Sequence, residues 1–127
     1  MKTAVSILLW TIRITGVIQI VLGMAFWTNN LYSLLPVHML VGVILVVALW
    51  VLAGLAARMG ASLGIVALAV VWGLIVPVLG IMQTQLLPGS AHWVIEVIHL
   101  LVGLIAIGLG DRLARESMQK SAPALAA

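Results

Sequence analysis

The chain has 127 residues, of which 65% are hydrophobic and only 7% charged, whereas soluble domains are roughly half apolar and a quarter charged. Its net charge is +3, and the basic residues sit at segment ends without forming a patch, which argues against a nucleic-acid partner. With no cysteine, disulfides, thiolate ligands, iron–sulfur clusters and cysteine-attached haem are excluded. Any metal chemistry must rest on histidine, methionine or carboxylate.

Crossing a hydrocarbon core of roughly 30 Å takes about 20 apolar residues. Four stretches qualify in chain order, at about 4–27, 35–57, 62–83 and 91–110, which predicts an all-α four-helix transmembrane bundle. They form a single domain over 1–119, and the remainder, 120–127, reads as a disordered tail. In the first span Lys2 precedes a hydrophobic run, as in a signal peptide. That run is too long and no small-x-small site ends it, so the span is expected to be retained. It stops at Thr28-Asn29-Asn30. The second span opens near Pro36 and stops at Arg58-Met59-Gly60-Ala61-Ser62. The third contains Pro77, expected to kink it and free a carbonyl at mid-depth, and stops at Gln83-Thr84-Gln85. After Pro88-Gly89-Ser90 the fourth runs to Asp111-Arg112.

Lys2, Arg58, Arg112, Arg115 and Lys120 all fall on one side if both termini are inside, and the loops at 28–34 and 84–90 carry no Lys or Arg. The positive-inside rule therefore predicts a multi-pass protein of the inner or plasma membrane, N-in and C-in. Trp27, Tyr32 and Trp93 then mark the outer interface.

The two hairpins align with each other. Gly16-Val-Ile-Gln-Ile-Val-Leu-Gly23 matches Gly73-Leu-Ile-Val-Pro-Val-Leu-Gly80, and His38-Met-Leu-Val-Gly42 matches His99-Leu-Leu-Val-Gly103. The offset grows by four residues between the pairs, which a longer second outer loop explains. Such a match predicts two parallel repeats related by an axis along the membrane normal. His38 and His99 would then be symmetry mates facing each other across the bundle.

A histidine inside a span is costly and points to function. Two inward histidines suit bis-imidazole ligation of a haem iron, because bundle cores hold such cofactors. Gly42 and Gly103 lie one turn beyond each histidine, while Gly16 and Gly73 lie on a small-residue stripe of spans one and three. These gaps suit a flat macrocycle. They equally suit close helix packing in lipid. On a simple count of residues the two histidines differ in depth by as much as two turns, with His99 near mid-span.

His92, Glu96 and His99 share one face of span four, which opens two other metal readings. Glu96-x-x-His99 resembles the carboxylate di-iron motif, but the further glutamates it needs are absent. A zinc site using His92 with the other histidines is the alternative. Arg13 lies inside span one and Glu96 is the only acid within any span, so pairing them would lower the cost of both. With haem present, Arg13 would instead meet a propionate, and Glu96 would bond a ligand imidazole or carry protons.

The layout, with histidines on spans two and four and the His38–Gly42 and His99–Gly103 elements, resembles small b-type membrane cytochromes. The three histidines leave room for one bis-histidine haem. The resemblance implies haem b, electron transfer, and a quinone or a redox partner protein besides the lipid bilayer. A homo-oligomer stays open. Two other functions stay open as well: a non-catalytic accessory subunit, and a small proton or ion transporter using Arg13, Glu96 and His99. No nucleophile, base and orienter can be assembled, which argues against a hydrolase.

Overall fold

The computed structural model describes residues 1–120, which are helical with no strand among them. Helix α1 spans Lys2–Asn29, α2 Leu35–Arg58, α3 Leu63–Met82 and α4 His92–Lys120, with single 3-10 turns at Tyr32–Leu34 and Gln83–Gln85. All four α-helices are long and apolar enough to cross a membrane. Even α3, the shortest at 20 residues, covers about 30 Å at 1.5 Å per residue.

Local chemistry sets the ends. Asn30 closes α1 in the left-handed region at φ 53°, and its N–H bonds the Phe26 carbonyl at 3.2 Å. Pro36 sits in the first turn of α2, where its missing N–H costs no helical bond. The α2–α3 turn is a Schellman motif. Gly60 takes φ 87°, Ala61 N–H bonds the Ala56 carbonyl at 2.9 Å, and Gly60 N–H bonds the Ala57 carbonyl at 3.1 Å. Ser62 then caps α3, its hydroxyl accepting the Ile65 N–H at 3.4 Å.

Neighbouring helices pack around the ring, and α2 also meets α4 across it. The close-packed core lies toward the end that carries Lys2, Arg58 and Lys120, the basic end. There Ile12, Leu49, Leu52 and Leu113 are fully enclosed and Ala53, Ala56, Ala69 and Ala114 let the backbones approach. Toward the opposite end, marked by Trp27, Tyr32 and Trp93, the helices part around a cavity. Ile7, Val17, Leu40 and Leu63 point outward and are more than half exposed. A surface of this kind is stable against hydrocarbon, not water.

Helix α4 does not stop at Asp111-Arg112. It runs through Lys120 because Leu113, Ala114 and Ser117 continue its buried face, while Arg112 and Glu116 pair one turn apart at 3.2 Å. Glu116 also accepts the Ser62 N–H at 3.3 Å, tying this extension to the α2–α3 turn. Lys120 therefore belongs to α4 and not to a tail, and 121–127 lie outside the described residues. Pro77 is contained within α3, which continues to Met82. Its missing N–H deprives the Gly73 carbonyl of its helical donor.

Candidate cofactor site

His38 stands in the first turn of α2 and His99 two turns into α4, so both lie in the aromatic-end half of the bundle. The mismatch in depth expected from the sequence is small here, because α4 extends far past Gly110 and His99 falls in its first third. The two rings face each other with centroids 6.3 Å apart and planes inclined at 46°. Phe26 of α1 packs edge-on against His38 at 5.3 Å and stacks on Tyr32 at 5.9 Å. Gly80 of α3 backs the other ring: a Cβ there would lie 3.2 Å from His99 Cε1.

Nδ1 of His38, Nδ1 of His99 and Oε1 of Gln19 are buried without a hydrogen-bond partner, the three such side-chain atoms among the described residues. Buried polar atoms are normally bonded, so each exception calls for an explanation. All three residues line one cavity of about 380 Å³. Its walls are mainly apolar, from Leu35, Leu45, Val76, Leu104 and Ile107, and its mouth at the aromatic end carries Gln83, Thr84, His92 and Glu96.

The remaining candidate residues divide between this cavity and other tasks. Gly16, Gly42, Gly103 and Glu96 line it beside the histidines. Gly103 opens a true gap, with nothing within 4 Å of its Cβ position. At Gly42 the gap is already filled by the Gln19 amide, whose Nε2 lies 2.7 Å from where a Cβ would be. Gly16 accommodates Ile107 of α4. Gly73 is outside the cavity; its missing side chain makes room for the Trp50 indole, which donates to the Val70 carbonyl at 3.1 Å. It serves α2–α3 packing.

Arg13 and Glu96 do not meet. Arg13 donates from Nε and Nη2 to Asp111 Oδ1 at 3.0 and 2.8 Å and lies 5.3 Å from the Trp10 ring centroid. Glu96 accepts the indole N–H of Trp27. The cause is antiparallel geometry: α1 rises as α4 returns, so the acid level with Arg13 is the one far along α4. In the sequence Asp111 reads as the end of the fourth span, and the fold brings it level with Arg13. In the sequence Gln19 stands only as the polar residue inside the Gly16–Gly23 segment. Its burial beside Gly42 needed the fold.

His92 sits at the mouth, Nδ1 3.2 Å from the Leu86 carbonyl. Among the described residues no three His, Cys, Asp or Glu side chains gather closely enough to hold a metal ion, so the zinc alternative built on His92 with the other two histidines does not assemble. What remains is a facing pair of imidazoles in an apolar sleeve with a polar mouth. No protein-family model, curated protein or solved structure matches this chain.

Proposed function

We propose that the chain binds one haem b between α2 and α4, with His38 and His99 as axial ligands, and carries electrons within the membrane. The single observation that carries this reading is the 6.3 Å separation of two half-buried imidazoles that line one largely apolar cavity. Two imidazoles on opposite sides of one metal, each bonded at about 2 Å, place their ring centres about 6 Å apart. Gly103 and the apolar walls leave space of the right character beside the pair. Bound there, a haem would supply one-electron transfer, with His38 and His99 as the residues that hold it.

The protein's own residues bind, orient and shield. Leu45, Leu104 and Ile107 keep water from the inner part of the cavity, Phe26 and the bare face of Gly80 hold the two rings, and Trp27 fixes the Glu96 carboxylate at the mouth. The reading includes two parallel repeats of one hairpin, N-in and C-in orientation in the inner or plasma membrane, and a quinone or redox protein as electron partner. Arg13 takes no part in it as a propionate ligand, since Asp111 holds it outside the cavity.

The test is the absorption spectrum of protein purified from haem-replete cells. A Soret band that is lost in both His38→Ala and His99→Ala supports the reading. A purified protein without the band, or one whose band survives both substitutions, overturns it. An accessory subunit, by contrast, would show no band and only a loss of stability in the two variants.

A further inference from the structure

Three buried polar atoms at the cavity have no partner, Nδ1 of His38, Nδ1 of His99 and Oε1 of Gln19, and haem ligation through Nε2 would by itself leave both Nδ1 atoms so. It does not explain the buried carbonyl oxygen of Gln19. An iron-ligating imidazole must place its remaining proton on Nδ1, and that N–H needs an acceptor that fixes ring orientation and raises donor strength. Among the described residues Gln19 Oε1 is the one buried side-chain acceptor in the cavity without a donor.

The position of the Gln19 amide points to His38. Its Nε2 occupies the place of a side chain at residue 42, 2.7 Å from the Cβ position of Gly42. A helical side chain covers the turn N-terminal to its own Cα, and the residue one turn N-terminal to Gly42 is His38. The glycine thus admits an α1 amide into the turn of α2 that carries the ligand. Phe26, two turns further along α1, packs against the His38 ring at 5.3 Å, so α1 runs beside α2 from His38 to Gly42.

Resting on the haem reading above, we infer that Gln19 is a positioning residue: its Oε1 accepts the Nδ1–H of iron-bound His38, and Gly42 exists to let it do so. A stronger imidazole donor favours ferric over ferrous iron. Gln19 would therefore hold the midpoint potential down and slow loss of the axial ligand, without touching the iron itself. Gln19→Glu keeps an acceptor at the same reach. Gln19→Leu removes it at similar volume, and Gly42→Ala leaves the glutamine in place but displaces its amide.

The experiment is a redox titration of the full-length, haem-loaded protein in detergent, alongside its rate of haem loss to a scavenger. Expected for Gln19→Leu and Gly42→Ala is about a tenfold shift of the ferric-to-ferrous preference toward ferrous, which is about 59 mV upward for a one-electron couple. Haem loss should quicken 10- to 100-fold, the usual effect of removing an outer partner of a metal ligand. Gln19→Glu should return the potential to the wild-type value or below it. A Soret band with an unchanged potential in both Gln19→Leu and Gly42→Ala overturns the role of Gln19 and leaves the haem reading intact. A wild-type protein with no Soret band overturns both.

Discussion

The polar side chains within the spans show how individual residues are accommodated where water is scarce. Arg13 spends two of its donors on one oxygen of Asp111 and lays its guanidinium near Trp10, yet its side chain keeps 41% of its surface exposed and that of Asp111 27%. With that much exposure the pair is expected to contribute only about 1 kcal/mol, in the range found for open ion pairs and for polar contacts between membrane helices. A double-mutant cycle of Arg13→Met and Asp111→Asn, read by unfolding in mixed micelles, measures it. A coupling well above that value would mean that lipid shields the pair more than its exposure indicates. Three of the five tryptophans satisfy their donors within the fold: Trp50 reaches the Val70 carbonyl, Trp72 the Val102 carbonyl at 2.9 Å, and Trp27 the Glu96 carboxylate. His38 and His99 differ, each with a buried Nδ1 that has no partner.

At the level of helices, the glycines have distinct tasks that their shared spacing in the sequence conceals. A Cβ on Gly73 would strike the Trp50 indole, and one on Gly110 would lie 3.0 Å from Ile12 Cδ1, whereas Gly108 has nothing within 4 Å. Gly73→Ala is therefore expected to cost about 1–3 kcal/mol by forcing α2 and α3 apart. Gly108→Ala is expected to be neutral or to stabilise α4 by up to about 1 kcal/mol, because alanine loses less backbone entropy in a helix. Thermal unfolding of the two variants in one detergent decides the matter, and equal effects would sink the distinction. Helix α4 illustrates a related point. Asp111 and Arg112 look like a terminus, but the buried face persists through Leu113, Ala114 and Ser117, and that continuing face, not the charges, governs where the helix ends.

For the whole molecule, packing is polarised along the helices, with a tight alanine- and leucine-rich core at the basic end and a cavity at the aromatic end. The same polarity bears on orientation. Because the chain has no cysteine, single cysteines report sidedness cleanly. Asn30→Cys and Ser90→Cys are expected to react with a membrane-impermeant maleimide in intact cells, and Arg58→Cys and Arg115→Cys only after permeabilisation. The reverse pattern would refute the N-in, C-in orientation drawn from the Lys and Arg distribution.

Hydrophobic length and punctuation in the sequence determined by themselves that there are four apolar helices and nearly where each begins. Backbone groups in an apolar medium must bond within the helix, so length and polarity suffice for that inference. The pairing of His38 with His99 was also visible, as a rare residue repeated in register. Three things needed the tertiary structure: that Arg13 meets Asp111 and Glu96 meets Trp27, that Gly73 receives an indole while Gly42 receives the Gln19 amide, and that α4 runs on to Lys120. Each depends on which residues of separate helices come level with one another, and an apolar sequence carries little record of depth or rotation, since almost any face can meet lipid. The tertiary fold decided those levels, and with them the two imidazoles and one amide oxygen left facing an open cavity.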